Sequence, residues 1–277
     1  MRKFAYPYYA WLLLFVVVPL IVIVLYAFTP GQGMEIGNIT FSLDHIKKFF
    51  EPIYLDVMWR SISISFASTL YCLILGYPVA YYIAKQSPKT RNILILLFMI
   101  PMWMNFLLRT YAWLTLLSTH GPINKLMIFL GLGQVNLLYQ NFTIVLGMIY
   151  NFLPFMVLPI YSVLVKIDNN LLEAARDLGA NDRIVFTKVV FPLSLPGIAT
   201  GIIMVFIPAL STFVISNLLG GNKYNLIGNL IEQQFRFTGD WHFGSAMSLV
   251  LILFIILGLI LLKKFNKDGR QVGGELW

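Results

Sequence analysis

The sequence predicts an all-α polytopic membrane protein with six transmembrane helices and both termini in the cytoplasm. Three observations point there. Of the 277 residues, 58% are hydrophobic and only 12% charged, with a mean hydropathy of +0.78, whereas soluble domains carry close to one charged residue in four. The charges fall in short polar clusters between long charge-free runs, the pattern of successive membrane spans. Basic residues crowd into alternate clusters, which sets an orientation.

The first apolar run, 8–28, follows Arg2 and Lys3. A basic start before an apolar run also fits a signal peptide. This run is longer than a typical signal core and no small-x-small cleavage site follows Leu25, so it reads as an uncleaved span. Residues 29–60 form the longest polar connection. A second span covers 61–84, with Gly76 and Pro78, and a short basic loop (Lys85, Lys89, Arg91) leads into a third over 93–117. That span contains Pro101 and Arg109, a charge placed well inside an apolar run. Sixteen residues into the helix, Arg109 would lie about 24 Å along it, near the outer interface where snorkelling lowers its cost. The stretch Leu126–Leu138, interrupted by Gly131, Gly133 and Gln134, is too short to cross and reads as an outer helix or an interfacial segment. The fourth span is 142–165 with Pro154 and Pro159, the fifth 193–219 with Pro196 and Pro208, and the sixth 243–262. Each has enough residues to cross about 30 Å of hydrocarbon. Together they form a single transmembrane domain over 1–277.

Orientation follows from the positive residues. One side holds thirteen (Arg2, Lys3, Lys85, Lys89, Arg91, Lys166, Arg176, Arg183, Lys188, Lys263, Lys264, Lys267, Arg270) and the other six (Lys47, Lys48, Arg60, Lys125, Lys223, Arg236). The richer side is cytoplasmic. The net charge of +8 is thus explained by topology, and no nucleic acid is needed. Several other chemistries are excluded. Cys72 is the one cysteine, which removes internal disulfides and thiolate metal sites. His45, His120 and His242 have no ligand spacing, and no G-x-x-x-x-G-K-[ST] loop is present. The chain is expected to bind no metal or cofactor and to have no catalytic residue.

The segment 166–192 is polar, structured and charge-balanced between two spans. Asn170 is placed to cap a short helix, with Glu173 completing a capping-box-like pair. Leu171, Leu172, Ala174, Ala175 and Leu178 give that helix an apolar, small-residue face. Gly179 stands where a helix end wants a left-handed residue. Asn181 or Asp182 caps a second turn, Ile184 to Val190, which Pro192 breaks before the next span. An ordinary connection is usually only a few residues long, and a DNA-reading helix–turn–helix would not be charge-neutral and pinned between spans. A docking element for a cytoplasmic partner fits better than either.

Glu173-Ala174-Ala175, three residues, Gly179, nine residues, then Val189-x-Phe191-Pro192 resembles the EAA loop of binding-protein-dependent ABC importer permeases, E-A-A-x3-G-x9-I-x-L-P. It departs only by Val189 for Ile and Phe191 for Leu. Gly76-x-Pro78-x-Ala80 also looks like that family. The stretches 107–113, 150–155 and 227–235 resemble the spermidine/putrescine permease subunits within it. The resemblance implies a type I ABC importer permease in a bacterial inner membrane. Its coupling loop would dock on an ATP-binding subunit through Glu173, Ala174, Ala175, Gly179 and Pro192, with ATP and Mg bound by that partner. A second homologous permease subunit and an extracytoplasmic substrate-binding protein would complete the machine.

A polyamine path would need carboxylates or aromatic faces, and no Asp or Glu lies within a predicted span. Candidate path residues are Trp103, Tyr111, Trp113 and Tyr150, with Asn105 and Asn151 as acceptors; aromatic residues in spans also serve as packing or interfacial belts. Asp44, Glu51, Glu232 and Asp240 in the outer loops could meet a binding protein, or be plain surface acids. The same machinery could carry another cation, an oxyanion or a metal complex. A secondary carrier is disfavoured by the missing intramembrane carboxylate.

Overall fold

The structure is a computed structural model that describes residues 6–30, 41–221 and 223–267. Arg2, Lys3 and Arg270, used above, lie outside the described residues. Among those described there is no strand. The helices are α1 (Tyr6–Phe28), α2 (Asp44–Phe49), α3 (Pro52–Ala84), α4 (Pro88–Trp103), α5 (Phe106–Leu117), α6 (Pro122–Phe129), α7 (Asn141–Leu164), α8 (Asn169–Asp177), α9 (Asp182–Ser211), α10 (Val214–Gly220), α11 (Ile227–Gln233) and α12 (Trp241–Lys267). Five are long and apolar enough to cross a membrane, six when the bent pair α4 and α5–α6 forms one span. The chain clusters into two compact units, one of residues up to 60 with 226–260, the other of 61–225 with the stretch from 261.

The third span departs from a single helix. It breaks at Met104–Asn105, and the two parts meet at 88°. Met104 is extended (ψ 146°), and the Asn105 side chain restarts the helix by accepting from the backbone N–H of Leu107 (2.8 Å) and Leu108 (3.4 Å). That cap satisfies donors a fresh helix start leaves open. The fifth span also differs. Its helix starts at Asp182, runs through Pro192 and stops at Ser211; Thr212 is extended, and α10 completes the stretch as a separate helix. Pro192 therefore does not break the chain. A π-turn over Phe186–Val190, closed by Phe191 N–H to the carbonyl of Phe186, immediately precedes it. An identical device, Leu13–Val17, precedes Pro19 in α1. A widened turn at that place absorbs the missing donor and the ring. The stretch 126–138, expected as an outer helix or an interfacial segment, is helical only to Phe129. Buried Asn124 ties down the remainder, donating to the Ser118 carbonyl and accepting from Val135 N–H, each at 2.9 Å.

In the larger unit, α7 is the central element, with Ile144, Met148, Met156 and Ile160 fully buried. It packs closely along α9, where glycines let the backbones approach. From α3, Ser68 Oγ reaches Met148 Sδ at 3.3 Å and Cys72 Sγ the Ile149 carbonyl at 3.9 Å. Tyr77 Oη pairs with Ser194 Oγ at 3.0 Å, joining α3 to α9. In the smaller unit, α1 and α12 meet at His242: its Nδ1 lies 3.1 Å from the Tyr26 carbonyl and 3.2 Å from Thr29 Oγ1. The His45 ring stacks on His242 with centroids 5.6 Å apart, and burial pushes the His45 imidazole below its usual pKa.

Candidate functional site

The polar segment between α7 and α9 is a helix–turn–helix, as its residues suggest. Asp168 caps α8, its carboxylate accepting from Asn170 N–H at 3.0 Å. The cap thus falls two residues earlier than Asn170, and the pairing of Asn170 with Glu173 does not form. The carboxylate of Asp168 is the stronger acceptor for a helix start. Gly179 has φ +85° and ends α8, with its N–H on the Arg176 carbonyl (2.8 Å) and Ala180 N–H on the Ala175 carbonyl (3.1 Å). That is the left-handed closure open to glycine at little cost. Asn181 starts α9, accepting from Ile184 N–H at 2.9 Å. Across the bend, Arg176 bonds Asp182 at 3.2 Å, both ends solvent-exposed, so the pair shapes the turn more than it stabilises it.

What this segment presents is informative. Glu173, Ala174, Gly179 and Pro192 are exposed, and Ala175 is half-buried. Leu178 is 89% exposed and Leu171 52%. Glu173 makes no hydrogen bond or ion pair among the described residues. An unpaired carboxylate, small alanines and bare leucines on one short helix form a surface fit for a protein partner, since close approach and a central apolar anchor are what such contacts need. Of the five residues expected to couple, Glu173, Ala174 and Ala175 lie on α8 and Gly179 on the turn that ends it, while Pro192 lies inside α9.

Among the six path candidates one ring contact forms. Trp113 and Tyr150 meet edge to face, centroids 5.4 Å apart. Trp103 and Tyr111 are well exposed. Asn105 is committed to the α5 cap. Asn151 is buried, its Nδ2 donating to the Gly147 carbonyl at 2.9 Å, while its Oδ1 has no partner. Arg109 does not snorkel. It is 7% exposed, and its Nε and Nη1 find no hydrogen-bond partner; the Phe106 ring lies 6.0 Å away. The break at Asn105 turns α5 away from the line of α4, so position along a straight span no longer sets its depth. The outer acids are largely occupied locally: Asp44 accepts from Ser42 (2.8 Å), Glu232 pairs with Arg236 (2.8 Å), and Asp240 caps Phe243 N–H (3.0 Å).

Known proteins extend this picture. Residues 72–270 match the family described as "Binding-protein-dependent transport system inner membrane component". The spermidine/putrescine transport system permease protein PotB of Haemophilus influenzae is 37% identical over 261 residues, spanning 94% of this chain and 91% of its own. PotB of Escherichia coli is 39% identical over 254 residues (91% and 92%). The inner membrane ABC transporter permease protein YdcU of Escherichia coli is 32% identical over 239 residues (81% and 76%). Among solved structures, a bacterial ABC transporter involved in the import of alginate superposes with a TM-score of 0.79 at 18% identity, covering 99% of this chain and 96% of its own. The inward-facing MetNI methionine ABC transporter gives 0.58 at 16% identity (78% and 96%). The structural likeness speaks to the fold, and the matched family and relatives are transport components, not enzymes. The chain belongs to the family of binding-protein-dependent transport system inner membrane components.

Proposed function

We propose that the chain is the membrane-spanning subunit of an ATP-driven polyamine importer, coupled to its motor through 166–192. The observation that carries this reading is the exposed helix–turn–helix with unpaired Glu173 and left-handed Gly179 set between two spans. The segment docks on a cytoplasmic ATP-binding subunit that holds ATP and Mg, and moves as that subunit closes. One such segment engages one motor subunit, so a second, homologous permease subunit completes the pore. An extracytoplasmic binding protein delivers the substrate. Both termini and the coupling segment lie in the cytoplasm, in keeping with the bias of basic residues. The PotB relatives are named for spermidine and putrescine, which supports a polyamine cargo. Within the chain, the Trp113–Tyr150 pair offers aromatic faces to an amine; acidic groups would come from the second subunit.

Uptake of labelled putrescine and spermidine tests the cargo. A strain lacking the chain is expected to lose uptake of at least one of them to background, and to regain it when the chain is restored. No difference for either polyamine would overturn the substrate and leave the family intact.

A further inference from the structure

A cavity of about 420 Å³ opens beside the coupling helix where several membrane helices end. Tyr81 and Lys85 line it from the end of α3, Arg91 from the start of α4, and Asn169, Leu172 and Arg176 from α8. Three cations thus face one space, and no Asp or Glu is among the lining residues. Arg176 already has Asp182. Lys85 and Arg91 have no ion pair among the described residues: Lys85 Nζ rests 4.4 Å over the Tyr81 ring, and Arg91 Nε is buried with no hydrogen-bond partner. Gathering like charges around a void costs free energy unless an anion occupies it. Apart from Gln86, whose amide donates to the Tyr82 carbonyl, the rest of the wall is apolar, with Leu164, Ile167 and Val190 beside Leu172.

From this we propose a binding site for the phosphate of an anionic glycerophospholipid. Lys85 and Arg91 take the phosphate, Tyr81 and Asn169 offer neutral hydrogen bonds, and the apolar wall receives the first carbons of the acyl chains. Phosphate chemistry alone would also fit a soluble phosphate. The apolar half of the lining, and the position at the ends of spanning helices, favour the lipid. Since α8 supplies part of the wall, the bound lipid links the coupling helix to the ends of α3 and α4.

Native mass spectrometry of the detergent-purified transporter, supplied with dioleoyl phosphatidylglycerol or dioleoyl phosphatidylcholine, tests this without transport or ATP hydrolysis. Failure of the coupling or cargo reading would therefore leave the result interpretable. The expected outcome is preferential retention of phosphatidylglycerol, reduced about twenty-fivefold in the Lys85→Gln/Arg91→Gln double variant, at roughly fivefold per cation. Lys89→Gln, which removes a nearby exposed charge outside the cavity lining, is expected to change little. Equal retention of both lipids, or undiminished phosphatidylglycerol in the double variant, would overturn the site. Displacement of the lipid by millimolar inorganic phosphate would overturn the lipid as its source.

Discussion

Gly179→Val is expected to reduce uptake at least tenfold while leaving the amount of protein in the membrane unchanged. Gly179 sits at φ +85°, and a Cβ built there meets nothing within 4 Å. Crowding therefore has no part in the effect. What valine introduces is a β-branched side chain at a left-handed position, costing about 1–3 kcal/mol of local strain. The spanning helices have no share in that cost, so insertion and folding survive. The turn relaxes instead, and α8 swings relative to the start of α9, carrying Glu173 and Leu178 away from the surface they present together. Asparagine tolerates the left-handed region far better than valine, so Gly179→Asn should keep most of the uptake. Glu173→Lys should match valine in effect through charge reversal on an exposed, unpaired carboxylate. In both damaging variants ATP hydrolysis by the partner should no longer follow substrate. Normal uptake in Gly179→Val and Glu173→Lys together would remove the coupling role of this segment.

Those two residues illustrate which parts of the molecule the sequence announces. Spans are legible because hydrocarbon imposes length and apolarity on each segment independently of its neighbours. The left-handed Gly179 and the Asn181 cap are legible because turn chemistry is local. Local reasoning misplaces the first cap by two residues, since Asp168 and Asn170 are both good caps and only the path of the chain out of α7 decides between them. The helix breaks are harder. Pro101 and Pro208 each precede one, yet Pro154, Pro159 and Pro196 sit inside intact helices. Proline alone therefore does not mark a break. Asn105 followed by helix-forming residues was the available signal for the first. Contacts between distant residues leave no trace of this kind. The His45–His242 stack joins residues 197 apart in sequence, and Arg109 is buried by elements whose placement depends on the bend before it. The path candidates suffer from the same limit: Trp113 and Tyr150 meet through the packing of α5 on α7, a contact between distant residues.

Gly197→Leu is expected to prevent stable assembly of the bundle, a larger effect on folding than any change in the coupling segment. Gly197 and Gly201 lie one turn apart on α9, a G-x-x-x-G spacing that lets helices in lipid approach until their backbones touch. A Cβ at Gly197 would stand 2.9 Å from the Pro159 carbonyl oxygen and 3.1 Å from the Ile160 Cα. Both are backbone atoms of α7, so no rotamer change can make room. At Gly201 a Cβ would lie 2.7 Å from Met156 Sδ, the end of a flexible side chain, but also 3.2 Å from the Met156 carbonyl oxygen. Methionine can withdraw its sulfur, so Gly201→Ala should be the milder change. Overpacking costs about 1–3 kcal/mol for small additions, which sets the expectation for Gly197→Ala; leucine adds three further carbons at the same backbone contact. Gly258 on α12 provides the comparison, because nothing lies within 4 Å of its Cβ position. In detergent, the melting temperature should fall in the order Gly258→Leu (near wild type), Gly201→Ala, Gly197→Ala, with Gly197→Leu recovered only in small amounts or aggregated. A Gly197→Leu protein that melts with the wild type would mean that α7 and α9 do not rely on this close approach.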